Sequence, residues 1–594
     1  MKLISYQKRN TGLDFLKGIA IIAVVLYHFV GDVLPLGYLG VEIFFVISGY
    51  LLMKSMLRSI EDGKFCFFKQ ISYRILRLLP AVLAVSALCF VVGYIVMLPD
   101  DFENLVQSII ASSVFSNNIL VAITTKNYWD VANLFKPLMH TWYLGVLVQA
   151  YVVIIGVTAI CNKLGKNKYT VLKWLILLMT VVSFALYLTP SFSDAWKFYF
   201  LPFRLYEITI GSLIAFTTTG KTNNKTLAAT LIRIMCVLAI LVIIIVDFAV
   251  FPANIKLMMT VALTAIYTYL TIVSPSHSIS FFKPLEFLGR NSFPIYISHQ
   301  CIVAFFYYSF VYETTFIAFL IFMAVVSLFS LIVHYGIEKT TNHFFNLKKQ
   351  KMMWIVCILS AVLICGASGM VYINAGVVRD VPELDISAEN VYRGMHAAYC
   401  DIPYNWDKEF TDSDDIKVLV IGDSFGRDWA NILNESKIAD DIEISYIFPS
   451  GQDYNDKAIR RIEAADIVFC STSTSRDISQ FLYENVPQEK RWVVGYKKFG
   501  NSNGYIYRQR FSKDYYSKTQ MISEDAIIFN QKMKEKYGTH YIDMLGVVLQ
   551  QDNRVRVFTN DGRFISQDCR HLTQAGAQFY AEEFDLSWIL ELSK

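Results

Sequence analysis

The stretch VLVIGDSFGRDW, Val418 to Trp429, decides how the last third of the chain is read. Four apolar residues run into Gly422-Asp423-Ser424, and a helical pattern follows, so the segment reads as a buried strand turning sharply into a helix. Ser424 then stands in the helix's first turn, where backbone N–H groups have no intrahelical partner and point outward. A serine placed there is suited to attack an ester carbonyl.

Around this stretch, strand-like runs KVLVIG, IEISYIF, ADIVFCS and RWVVGY alternate with helical patterns such as RDWANILNES and SEDAIIFNQKMKEKYG. The alternation predicts an α/β domain with a parallel sheet between helices. Further on, QDCRHLTQAGAQFYAEE carries Asp568 and His571 three residues apart, at what reads as the start of a helix. On one helix face the carboxylate would fix the imidazole tautomer while the other ring nitrogen meets a nucleophile. Ser424, Asp568 and His571 are therefore the candidate catalytic set, and Asp423 reads as a turn residue.

The preceding two thirds have a different character. The 594 residues are 54% hydrophobic and only 18% charged, with a mean hydropathy of +0.40, as in polytopic membrane proteins. A net charge of +4 on this length, with no basic stripe, argues against a nucleic-acid partner. The ten cysteines form no CxxC pairs, so no metal site is expected.

Apolar segments near 13–34, 37–55, 76–98, 140–161, 170–188, 197–217, 228–248, 254–273, 293–310, 315–337 and 353–375 predict eleven spans in contact with membrane lipids. Lysines and arginines gather in alternate loops, which places the N-terminus in the cytoplasm. An odd number of spans then puts everything after about residue 376 outside. The predicted organisation is a helical membrane domain over 1–350, an eleventh span over 351–375, an extracytoplasmic linker over 376–412 and the α/β domain over 413–594. Cys400 and Cys569 both fall in the exported part, where a disulfide bracing His571 is expected.

Polar residues inside spans are costly and mark function by default. Lys17 and His28 in the first span are eleven residues apart, on one face and ~16 Å apart along the axis. They suit an anionic donor entering from inside; the plain alternative is a snorkelling lysine and a histidine bonded to a neighbouring helix. Arg204 and Glu207, one turn apart, are expected to pair, in a structural or a catalytic role.

The segments LDFLKGIAIIAVVLYHF, GYLGVEIFFVISGYLL, YRILRLLPA, PLMHTWYLGVLVQAY, PFRLYEITIGSLIAF and FLGRNSFPIYISHQ occur in the order and spacing of the acyltransferase type 3 family, which the chain resembles over about residues 10–340. The outer domain, with its Gly-Asp-Ser and Asp-x-x-His blocks, resembles the SGNH esterase family. Membrane proteins that combine the two include peptidoglycan and lipopolysaccharide O-acetyltransferases, and the chain is similar to these throughout.

The resemblance implies transfer of an acetyl group from acetyl-CoA to an extracytoplasmic glycan. His28 would be the acyl-transfer base or carrier, with Lys17, Arg74 and Arg77 holding the cofactor; for the arginines, simple anchoring at the inner face remains open. Glu42, His140, Trp142, Arg204, Glu207 and His299 fall on further family positions. The oxyanion would be held by the N–H groups of Ser424 and Gly451, with Ser471 or Thr472 in place of the family's asparagine. Two other activities fit the same motifs: a membrane-anchored glycan acetyl esterase, and a transporter whose outer module only binds.

Overall fold

The computed structural model describes residues 10–31, 33–124, 134–217, 227–247, 250–274, 280–309, 315–386, 399–449, 454–471 and 477–591. The chain forms two compact units, one running to Ile95 and from Asn104 to Met370, the other comprising Val96–Glu103 and the chain from Val371 onward.

The first unit is helical. Among the described residues of the chain, ten helices are long and apolar enough to cross a bilayer, from Thr11–Phe29 to Gln350–Ile373, which makes this a multi-pass membrane protein. The sequence suggests eleven spans, and the difference lies at 293–310. That segment is a helix, Ser292–Ser309, but Ser298, His299 and Gln300 lower its hydropathy, and all three are buried. The helix packs against Thr11–Phe29 and Phe316–Ile332, so protein rather than lipid receives its polar side chains.

Two helices set the geometry of the unit's charged centre. Gly40–Glu61 and Leu201–Thr217 approach so closely that a Cβ on Gly49 would lie 1.8 Å from the Ile208 carbonyl oxygen, and one on Gly211 1.9 Å from that of Val46. Glycine at both contacts lets the backbones meet, as in membrane helix pairs generally.

The second unit carries the α/β fold expected from the sequence. Five parallel strands, β1 (Ile416–Gly422), β2 (Ile442–Ile447), β3 (Ile467–Ser471), β4 (Arg491–Val494) and β6 (Tyr541–Ile542), lie in the order β2-β1-β3-β4-β6. A short antiparallel pair, β5 (Thr519–Met521) and β7 (Arg554–Arg556), stands apart. Successive strand residues point to opposite faces. Val418 and Val420 of β1 therefore enter one core with Trp429, Tyr446 and Phe469, whereas Leu419 and Ile421 enter the other with Val468 and Cys470. Burial on both faces explains why β1 reads as an unbroken apolar run.

Candidate active site

Ser424 lies where the sheet order reverses. The chain passes from β1 to β2 on one side and returns to β3 on the other, opening a crevice at the carboxyl ends of the strands, the usual ligand position in such sheets. Gly422 is in register with Ser471, and a Cβ there would lie 2.6 Å from the Ser471 carbonyl oxygen and 3.0 Å from Gly426 Cα. Only glycine leaves room for the turn. Asp423 then caps the helix Ser424–Asn434, its Oδ1 accepting from the Phe425 N–H at 3.0 Å. The Tyr446 hydroxyl secures the turn, donating to the carbonyls of Gly422 (2.9 Å) and Asp423 (3.2 Å).

Asp568, His571 and Ser424 stand in one hydrogen-bonded line. His571 Nδ1 lies 2.6 Å from Asp568 Oδ2, and Nε2 lies 2.8 Å from Ser424 Oγ. An ionised carboxylate only accepts, so Nδ1 carries the proton and Nε2 offers its lone pair to the serine hydroxyl. This is the geometry of a serine activated by an oriented imidazole.

The Asp568–His571 segment is a turn, not the helix start expected from the sequence. The helix begins at Gln574, where the Thr573 hydroxyl accepts from the Gly576 N–H at 3.0 Å. Asp568 Oδ1 takes the N–H groups of Arg570 (2.9 Å) and His571 (2.8 Å), and Cys569 adopts φ +63°. The aspartate side chain thus outcompetes the helix for its backbone donors.

Two further side chains, not singled out from the sequence, brace this turn. Asp428, one turn beyond Ser424, accepts from the Leu572 N–H at 3.0 Å and pairs with Lys497 at 2.8 Å, both side chains being 1% exposed. Lys497 Nζ also lies 3.3 Å from the Phe425 ring centroid. Burial pulls the Lys497 ammonium below the usual lysine range, and the Asp428 carboxylate opposes that shift. The Phe499 N–H holds the Cys569 carbonyl at 3.0 Å. One rigid helix therefore carries both the serine and an anchor for the residue after His571. The sequence offers only the weak signal of a lysine in YKKFG just past a strand.

The expected disulfide is not formed. Cys400 and Cys569 are buried free thiols with separate partners, Cys400 Sγ at 3.6 Å from the Leu572 carbonyl oxygen and Cys569 Sγ at 3.5 Å from Gln520 Nε2. Burial, reinforced by Asp428 at Cys400 and by Asp568 at Cys569, holds both thiols protonated. Of the oxyanion candidates, Gly451 and Thr472 lie outside the described residues. Ser471 ends β3 beside Gly422 and is 5% exposed.

In the membrane unit, three imidazoles converge from separate parts of the chain. The His299 ring centroid is 5.1 Å from that of His28 and 5.4 Å from that of His140, and all three rings lie in the helical bundle. His28 Nδ1 donates to the Val24 carbonyl (2.8 Å) and His299 Nδ1 to the Tyr296 carbonyl (2.7 Å), which directs each Nε2 away from its own helix. Among the described residues, no group of three or more histidine, cysteine or acidic side chains is arranged to hold a metal ion.

Arg204 pairs with Glu207 at 2.9 Å, as the spacing suggests, and also with Glu42 at 2.6 Å; all three side chains are 0% exposed. Trp142, Phe45 and Phe198 surround the guanidinium, with ring centroids 5.1 to 5.9 Å away. The proposed cofactor cations have different partners. Lys17 pairs with Asp14 at 3.8 Å, Arg74 donates to Gln70 Oε1 at 2.8 Å, and Arg77 is exposed.

Residues 10–336 match the acyltransferase type 3 family, described as an acyltransferase domain. Over 312 residues the chain is 27% identical to the peptidoglycan O-acetyltransferase OatA of Listeria monocytogenes, covering 50% of each chain. It is 27% identical over 313 residues to a putative O-acetyltransferase of Staphylococcus aureus, again covering 50% of each. A putative peptidoglycan O-acetyltransferase of Bacillus subtilis, YrhL, is 26% identical over 309 residues, 49% of this chain and 48% of that one. The chain spans about half the length of the curated relatives it matches. No solved structure matches it. With a match over 10–336, more than half its length, the chain belongs to the acyltransferase type 3 family.

Proposed function

We propose that the protein is an O-acetyltransferase that moves an acetyl group from cytoplasmic acetyl-CoA to a hydroxyl of a cell-envelope glycan. The observation that carries this reading is the Ser424–His571–Asp568 line in a chain whose other unit belongs to an acyltransferase family. The names of two relatives favour peptidoglycan as the acceptor.

In this reading the N-terminus is cytoplasmic, the helix Ser292–Ser309 is an eleventh crossing, and the second unit is extracytoplasmic. At 18 residues that helix is about 27 Å long, close to the thickness of the hydrocarbon core. Lys17, Arg74 and Arg77 hold the phosphates of acetyl-CoA. His28, with His299 and His140 against it, takes up or activates the acetyl group.

Ser424 Oγ then attacks the acetyl carbonyl while His571 Nε2 takes its proton and passes it to the leaving group. The sugar hydroxyl next gives its proton to His571 and attacks the acetyl-serine ester, releasing Ser424. The N–H groups of Ser424 and Gly451 stabilise the oxyanion of both steps, with Ser471 or Thr472 as a third donor.

The test is base-labile acetate on envelope glycans of cells that lack the gene and express wild type, Ser424→Ala or His28→Ala. Wild type should add ester acetate and both variants should abolish the gain. Acetate that falls with wild type and returns with Ser424→Ala would instead make the protein a glycan esterase, and indifference to Ser424→Ala would favour a transporter.

A further inference from the structure

Two aromatic rings stand open beside the turn that presents Ser424. Phe448 directly follows β2 and is 42% exposed; Tyr404, in the short 3-10 helix Ile402–Trp406, is 45% exposed. Their centroids are 6.4 Å apart, with the planes inclined at 61°.

Tyr404 is tied to the serine's turn, and Phe448 packs against Tyr404. Tyr404 packs edge-on against Tyr446 at 5.8 Å, and Tyr446 is the fully buried residue whose hydroxyl holds the Gly422 and Asp423 carbonyls. From the other side Arg427, one turn beyond Ser424, lies 5.7 Å from the Tyr404 ring centroid and pairs at 2.7 Å with Asp401, which heads the same 3-10 helix. Single exposed hydrophobics need no explanation, but an adjacent pair held in place next to a nucleophile does.

Rigid aromatic rings offer a large contact area at low entropic cost, and their electron-rich faces attract the C–H bonds on the flat side of a sugar ring. The nearby cation already has a carboxylate partner, so the patch is built for a neutral ring rather than an anionic group. Phe448 leaves the carboxyl end of β2, the strand beside β1, which puts it at the sheet edge from which Ser424 acts.

We propose that Tyr404 and Phe448 form a stacking subsite that holds a neutral pyranose ring of the acceptor glycan beside Ser424. The proposal rests on the transferase reading of that serine. Stacking places the sugar so that one hydroxyl reaches the acetyl-serine, and removal of a ring loosens that placement.

The experiment uses the full chain in lipid nanodiscs, with p-nitrophenyl acetate as donor and chitopentaose as acceptor. Tyr404→Ala and Phe448→Ala should each lower kcat/KM for transfer to chitopentaose about tenfold more than they lower release of p-nitrophenolate, and Tyr404→Trp should restore transfer. Saturation-transfer NMR with the Ser424→Ala chain should show contact to sugar C–H groups that disappears in the Tyr404→Ala/Phe448→Ala background.

Equal losses in both reactions would mean that the rings only support the turn, and would overturn the proposal. So would unchanged transfer, or no saturation of chitopentaose with both rings in place. If wild type releases no more p-nitrophenolate than Ser424→Ala does, the transferase reading itself fails and the subsite falls with it; the ring variants cannot produce that outcome.

Discussion

His571 is oriented by a carboxylate, whereas His28 and His299 are oriented by backbone carbonyls of their own helices. The environments explain the contrast. The Asp568 side chain is 32% exposed, so its charge remains partly hydrated while it fixes the imidazole. Inside the helical bundle, an ionised carboxylate beside each ring would add a heavy desolvation cost, and a carbonyl selects the tautomer without adding charge. Two of the carboxylates buried in that unit, Glu42 and Glu207, are instead gathered around Arg204. The same side chain is thus oriented in two ways, according to what its surroundings can bear.

The comparison breaks most visibly at the base itself. His571→Ala should lower glycan acetylation on the order of 10⁴-fold, and Asp568→Asn should do nearly as much by presenting the wrong tautomer to Ser424. His28→Ala should remove acetyl-CoA-dependent transfer equally well while sparing Ser424-dependent hydrolysis of p-nitrophenyl acetate. Measuring both reactions on each variant separates the two histidine sites. Parallel loss in both reactions for His28→Ala would show that they do not act in sequence.

Buried ion sets sharpen the contrast at the level of stability. Arg204→Leu strands two fully buried carboxylates and should cost about 3–5 kcal/mol, read as a lower unfolding temperature of the detergent-solubilised chain. Asp428→Ala strands the Lys497 ammonium and should cost a similar amount, but it also frees the Leu572 N–H that anchors the turn after His571. The double change Asp428→Leu with Lys497→Met should therefore recover stability without recovering acetylation, because the charges are gone but the anchor is not replaced. If activity returns with stability, Asp428 is structural only.

The strands were readable because burial on both faces writes itself as continuous apolar runs, as in Val418–Ile421. Asp568 and His571 were readable as a short-range pair, yet their backbone was not, since nothing in the spacing tells whether the aspartate will take the helix's own N–H donors. The Arg204–Glu207 pair follows from one helical turn, but its third member, Glu42, lies 162 residues from Arg204 and is brought in by the glycine contacts of two helices. Lys497 and Asp428 pose the same problem across the sheet. The segment 293–310 reads as a span in the sequence and forms the helix Ser292–Ser309, but its buried Ser298, His299 and Gln300 weaken its membrane signal.

The smallest expected effect concerns the cysteines. Export to an oxidising space, which the proposed topology implies, would make a Cys400–Cys569 bond a reasonable expectation. A bond closing so long a loop would contribute about 2–4 kcal/mol, enough to move an unfolding transition by several degrees on reduction. The structure supplies the bracing in another way, through the Phe499–Cys569, Leu572–Asp428 and Asp428–Lys497 contacts, and keeps both thiols buried and protonated. Dithiothreitol should therefore leave the unfolding temperature within about 1 °C of its starting value, and all ten cysteines should react with a thiol reagent after denaturation without reductant. A shift of several degrees, with two cysteines unreactive, would mean that the turn carrying His571 depends on a covalent tie rather than on the Asp428 anchor. The Asp428 variants would then lose activity far less than Cys569→Ser.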